Sequence, residues 1–170
     1  MVKRAMLPQV RLRRHRPGDL GWVVQRHGEL YWKEYGYDER FEALVAGIAA
    51  RFVETFDRRR ERCWIAERGG ERLGAVFLVK QSPRVAKLRL LIVEPATRGM
   101  GLGMRLVKRL VITCVRFARA AGYSKLVLWT QSELTAARAI YIKTGFRLVR
   151  REPHTSFGKR LVGEYWQLDL

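Results

Sequence analysis

Apolar residues along this chain recur at two spacings, and the changes between them mark out the elements. Val10 to Arg14 predicts a short first strand. Pro17-Gly18-Asp19 then opens a helix with Asp19 as its N-cap, since a short acidic side chain can accept from the first-turn amides. That helix runs to about Tyr35, with Trp22, Val23, Leu30 and Tyr31 among its apolar positions and Gly36 as its stop. Asp38 caps a second helix, in which Phe41, Leu44, Val45, Ile48, Phe52 and Phe56 recur at helical intervals. From Cys63 the period changes. Cys63 to Glu67 and Leu73 to Lys80 predict a hairpin across Arg68-Gly69-Gly70-Glu71. The run from Leu73 to Val79 is apolar throughout, as a strand buried on both faces requires. Gln81-Ser82-Pro83 turns into a third strand, Val85 to Val93, which Pro95 ends.

The helical period returns from about Gly101 to Ala121, where Leu106, Val107, Leu110, Val111, Cys114, Val115, Phe117 and Ala118 form one apolar face and Gly122 is the C-cap. Lys125 to Thr130 predicts a strand. Ser132 caps a shorter helix that ends near Lys143, with Gly145 as its stop. Phe146 to Arg150 and Val162 to Leu168 predict two last strands. The fold class read from this order is α/β, in the sense of an α+β mixed sheet with helices on its faces. Residues 1–9 read as a loose tail and residues 10–170 as a single domain.

Composition narrows the function classes. The chain has 170 residues, 48% of them hydrophobic, which is enough for one core. No apolar run approaches the ~20 residues that span a bilayer, so no membrane role is read. No sustained apolar segment follows the basic start, so no secretory leader is read and a cytoplasmic setting is the default. Two cysteines and three separated histidines match no metal spacing and no disulfide framework. The net charge of +18 favours anionic partners: nucleic acid, an acidic surface or a polyphosphate cofactor. An arginine-heavy solvent face is the plain alternative. No helix-turn-helix or RNA-recognition motif supports nucleic acid.

The informative junction is the strand ending Leu91-Ile92-Val93, followed by Arg98-Gly99-Met100-Gly101-Leu102-Gly103-Met104. A buried strand enters a glycine-rich turn that opens a helix. The first amides of a helix lack internal partners and carry the positive end of its dipole, which makes an anion site. Arg98 adds a full charge. The Gly-Lys-Ser/Thr of a P-loop is absent, and Met104 stands where a dinucleotide fingerprint needs its third glycine. Arg-x-x-Gly-x-Gly fits Arg98, Gly101 and Gly103. The alternative is a turn that binds nothing.

At these residues the chain resembles the GCN5-related N-acetyltransferase (GNAT) family. A second motif region, Leu126 to Thr130 with Ile140-Tyr141 and Gly145-Phe146, matches that family's closing helix and strand. The resemblance implies a GNAT-like fold: a mostly antiparallel sheet of about six to seven strands with about four helices. It implies acetyl-CoA as cofactor, with Leu91, Ile92 and Val93 pairing the pantetheine arm and Arg98 to Met104 holding the pyrophosphate. It implies Tyr141 beside the coenzyme sulfur, as the acid that protonates the thiolate. Leu134 stands where the family often has a pantetheine-contacting asparagine. A narrower similarity, on His15 to Val23, Arg26-His27-Gly28, Tyr31, Glu34-Tyr35-Gly36 and Glu152-Pro153-His154, points to the acetyltransferase half of bacterial proteins fused to MarR-type regulators. The family also implies a homodimer paired through C-terminal strands.

Acetyl transfer to an amine needs a proton acceptor for the amine, a donor for the thiolate and a hydrogen bond to the tetrahedral oxyanion. The Val93 amide is the candidate for the last of these. Glu34 is the candidate base, with His27, His154 or a water chain as alternatives. The acceptor is an amine or amino acid, or a protein lysine, with Tyr31, Lys87, Trp129 and His154 as candidate contacts; Trp22 and Tyr35 are further aromatic candidates. Lys87 and Arg89 alternate on the third core strand, where they either bind an acceptor carboxylate or are ordinary strand charges. A non-catalytic acyl-CoA sensor and a basic nucleic-acid-associated module are the rival readings.

Overall fold

The computed structural model describes residues 9–170, with residues 99 and 100 by their backbone alone. The elements are β1 (Arg11–Arg14), α1 (Asp19–Tyr35), α2 (Glu39–Glu54), β2 (Arg62–Arg68), β3 (Glu71–Lys80), β4 (Val85–Val93), α3 (Leu102–Ala120), β5 (Lys125–Gln131), α4 (Thr135–Thr144), β6 (Arg147–Ser156) and β7 (Lys159–Asp169). A 3-10 turn, Pro95–Met100, joins β4 to α3. The order agrees with the alternation of periods in the sequence. The tail expected over residues 1–9 lies outside the described residues, apart from Gln9.

The seven strands form one sheet in the order β1-β2-β3-β4-β5-β7-β6. β4 and β5 run parallel; the other neighbouring pairs are antiparallel. The apolar run on β3 serves both faces. Val76 and Leu78 join Leu106, Leu110, Val111 and Cys114 of α3 on one side. Ala75 and Phe77 join Val23 and Leu30 of α1 and Phe52 of α2 on the other. Each such Val, Leu or Phe side chain contributes roughly 1.5–3 kcal/mol by leaving water. Cys63 and Cys114 are buried and free, on opposite faces of the sheet.

Four local expectations are corrected. Gly18, with φ 91°, is the N-cap of α1, and no side chain caps it. Asp19 is fully buried instead, bonded by Arg13, Arg72 and the Arg16 amide. Tertiary arginines outbid the local cap, and they hold the carboxyl below its usual range even though burial opposes this. α4 starts at Thr135 behind Leu134, without a side-chain cap, and the Ser132 amide bonds Val162. Gly122 follows the C-cap of α3, which is Ala121. The last two strands are longer than predicted and form a hairpin that turns at Phe157-Gly158. The Asp38 cap on α2 is as expected: its side chain accepts from the Arg40 amide.

Candidate functional site

The site begins with an irregularity in β4. Arg89 opposes Phe77 and Ile92 opposes Ala75, so Leu90 and Leu91 together face Val76. Leu90 takes φ 49°, a left-handed conformation that costs a branched residue about 1–2 kcal/mol. Such a bulge bends its strand and breaks pairing. Pairing between β4 and β5 accordingly ends at Leu88 and Leu128, although β4 continues to Val93 and β5 to Gln131. The strands splay, and a cleft of about 940 Å³ occupies the opening.

The wall of the splay carries open backbone groups. The Glu94 amide donates to Leu73, and the Ile92 carbonyl lies so close to β3 that a Cβ on Gly74 would sit 2.7 Å from it. Ile92 and Glu94 are therefore committed to β3. Because bonding direction alternates along an antiparallel strand, the Val93 amide and carbonyl point the other way, into the cleft. Leu91, Ile92 and Val93 all line the cleft, with the Ile92 backbone turned to β3 and its side chain also packed in the α1–α2 cluster.

Beyond Val93 the 3-10 turn leads to Gly101, whose φ of 65° sets the N-cap of α3. A Cβ on Gly101 would meet nothing within 4 Å, whereas one on Gly103 would meet Thr97 Oγ1 at 3.2 Å. Gly101 supplies the left-handed turn, and Gly103 lets the first turn of α3 close onto Thr97. Arg98, Gly101, Gly103 and Met104 line the cleft. Leu102 is the first residue of α3, so its amide and the next two have no partner inside the helix. Gly99 and Met100 belong to the 3-10 turn. These donors and the Arg98 guanidinium fit a pyrophosphate.

Tyr141 faces the same cleft from α4. Burial, reinforced by Tyr31 and Cys114, pushes its phenol well above the usual range, so it is protonated at neutral pH. Glu34 and Tyr31 line the cleft from α1, Lys87 from β4 and Trp129 from β5. The Glu34 carboxylate is engaged by Arg98 at 2.8 Å, so the candidate base is tied to the phosphate turn. His27 is buried, its Nδ1 bonded to the Val23 carbonyl, and burial lowers its pKa to about 4. His154 stands behind the wall. Its Nε2 bonds Gln131 at 2.9 Å, its Nδ1 bonds Ser156 at 2.9 Å, and its ring lies 5.7 Å from that of Trp129. It reaches the cleft only through Gln131 and Ser156, which do line it.

Several lining residues had no signal in the sequence reading. Tyr37 donates to Glu133 at 2.7 Å, and Lys159 reaches both Glu133 and the Tyr35 carbonyl. Phe157, at the hairpin turn, packs on Tyr37 and Phe41 with ring centroids 5.3 and 5.1 Å apart. Tyr31 and Phe41 complete this basin at 4.4 Å. Residues 151–161 carried no predicted element, so nothing pointed to Phe157. Glu133 sits in a short polar stretch between strand and helix, where an acid has no distinctive spacing.

Comparison with known proteins agrees with this architecture. The family model described as Acetyltransferase (GNAT) family matches residues 15–146. N-acetyltransferase 8F1 of Rattus norvegicus is 28% identical over 138 residues, covering 81% of this chain and 57% of that protein. The chain spans about half the length of the curated relatives it matches. Among solved structures, the putative acetyltransferase yncA of Salmonella typhimurium, with its cofactor acetyl-CoA, superposes with a TM-score of 0.74 at 17% identity, covering 95% of this chain and 94% of that one. Spermidine N-acetyltransferase of Vibrio cholerae, in complex with CoA and spermine, gives 0.66 at 19% identity, covering 95% of each chain. With the splayed strands, the glycine-rich turn and the family match together, the chain belongs to the GNAT acetyltransferase family.

Proposed function

We propose that the protein transfers an acetyl group from acetyl-CoA to a primary amine by direct attack in a ternary complex. The observation that carries this reading is the open Val93 amide on the splayed wall, between the glycine turn at one end of the cleft and Tyr141 facing it. The turn amides and Arg98 hold the pyrophosphate, and the wall at Leu91 to Val93 receives the pantetheine arm. The coenzyme supplies an activated thioester carbonyl. The Val93 N–H donates to the oxygen that becomes negative as the amine attacks. Tyr141 gives its phenolic proton to the departing sulfur. Arg98 turns from Glu34 to the pyrophosphate, and the released Glu34 carboxylate takes the amine's proton. Tyr31 and Trp129 wall the acceptor side, and His154 orients Gln131 there.

Incubation with acetyl-CoA and a panel of amines, amino acids and lysine peptides, read by released thiol, tests this directly. Turnover on at least one acceptor is expected, together with CoA binding by calorimetry. CoA binding without turnover would leave an acyl-CoA sensor; no CoA binding would remove the reading altogether.

A second reading draws on α3, whose exposed Arg105, Lys108, Arg109, Arg116 and Arg119 share the helix with no acidic residue. A basic nucleic-acid-associated module would use this face. It requires binding to DNA or RNA that weakens steeply with salt. β6 is the last strand of the sheet and is exposed along most of its length, so we extend the proposal to a homodimer through this edge. Light scattering tests it.

A further inference from the structure

Lys87 and Arg89 lie on β4 just before the bulge, two residues apart and therefore roughly 7 Å from one another on one face. Their partners across β3, Val79 and Phe77, belong to the face covered by α1 and α2. Both cations are half-buried, and both line the cleft, as do Leu44 and Ile48 of α2. Several other partly buried arginines are matched to carboxylates, Arg13 to Asp19 and Glu67, Arg26 to Glu94 and Arg138 to Glu164, while Arg60 and Arg62 bond backbone carbonyls and lie over the rings of Tyr123 and Phe117. Among the described residues neither Lys87 nor Arg89 has such a partner. Of the two carboxylates that line the cleft, Glu133 is held by Tyr37 and Lys159, and Glu34 is paired with Arg98 and not with Lys87 or Arg89. Adjacent like charges with partial desolvation favour an anion between them.

The coenzyme's phosphates do not supply that anion. The turn that suits them follows Val93, which lies three register steps beyond Arg89 along β3, or roughly 10 Å away. Lys87 and Arg89 instead stand next to the point where β4 and β5 separate, on the α1–α2 face of the sheet. We propose that the acceptor is an amino-carboxylate of the amino-acid class, its carboxylate clasped by Lys87 and Arg89 and its apolar side chain received by the rings of Tyr31, Phe41 and Phe157. This inference rests on the acetyl-transfer reading and names its substrate class. The planar fork of Arg89 suits a carboxylate, and the Lys87 ammonium adds a point charge.

The test compares phenylalanine, phenylalaninamide and phenethylamine as acceptors by thiol release, with CoA affinity measured separately by calorimetry. The expected kcat/KM is at least tenfold higher for phenylalanine than for either analogue. Lys87→Met and Arg89→Met should each cut that ratio several-fold, and the double variant should bring it near one; thermal unfolding checks that the variants fold. Binding of N-acetylphenylalanine to the CoA-saturated protein, weaker for its amide, gives the same readout without turnover. Equal rates for the three acceptors, or a preference that survives in the double variant, would overturn the inference and leave acetyl transfer standing. If CoA binds but neither turnover nor N-acetylphenylalanine binding occurs, the substrate class is wrong. No CoA binding at all would remove the acetyl-transfer reading with it.

Discussion

Arg98 at the glycine-rich turn and Glu34 in the last turn of α1 form an ion pair 2.8 Å long. The pair joins the end of the cleft that fits phosphate to the wall that faces the acceptor. Arg98 is more than half exposed, so the bridge contributes about 0–1 kcal/mol. A pyrophosphate carries more charge than one carboxylate and meets the turn amides as well, so it outcompetes Glu34. Arg98→Ala should therefore weaken CoA binding about tenfold, the worth of one charge-assisted bond. Glu34→Gln should alter CoA affinity by less than about fivefold while lowering kcat about a hundredfold on a working acceptor. Calorimetry and steady-state kinetics on the two variants check both; an unaltered kcat in Glu34→Gln would remove Glu34 as base.

Tyr141 is buried and protonated, with its ring set between Phe146 and Trp166 at 5.8 and 6.4 Å. Phenylalanine preserves that packing and deletes only the proton donor. Tyr141→Phe should lower kcat by about a hundredfold, within the usual range for general acid catalysis, with CoA affinity unchanged. Undiminished turnover on a working acceptor would show that the tyrosine serves only to pack.

Gly74 is placed where β3 meets the bulged part of β4. An added Cβ would lie 2.7 Å from the Ile92 carbonyl, a backbone atom with no rotamer to change. Gly74→Ala should cost about 2 kcal/mol as the strands move apart. The melting temperature should fall by roughly 4–8 °C, as a domain of this size responds. Gly101→Ala meets no atom within 4 Å, so its penalty is confined to the backbone, about 1–2 kcal/mol for φ of 65°. A melting-temperature loss in Gly101→Ala that matches or exceeds that of Gly74→Ala would count against this assignment.

His27 makes stability depend on pH. Burial lowers its pKa to about 4, against about 6.5 in an unfolded chain. Between these values the unfolded chain binds more protons, so stability rises with pH. The contribution is full above about pH 6.5 and is lost as pH falls toward 4, amounting to roughly 3 kcal/mol over the window. Melting temperatures from pH 7.5 to 5 should fall less steeply for His27→Gln than for the unaltered protein. Parallel slopes would contradict this.

The sequence by itself determined the features that depend on near neighbours. β4 spans Val85–Val93 as its apolar run predicts, Asp38 caps α2, and the glycine turn takes its positive φ where glycine permits it. Periodicity and turn chemistry suffice for these, because the forces involved act within a few residues. Tertiary structure alone decided the rest. Nothing local marks Leu90 as the bulge that opens the cleft, since that depends on register against Val76. Asp19 reads as a cap until Arg13 and Arg72 claim it, the latter from 53 positions away. Tyr37 meets Glu133 across 96 positions, and Lys159 meets Tyr35 across 124. A charge that will be buried against a distant partner has the same local pattern as one left in water, and only the folded chain distinguishes them.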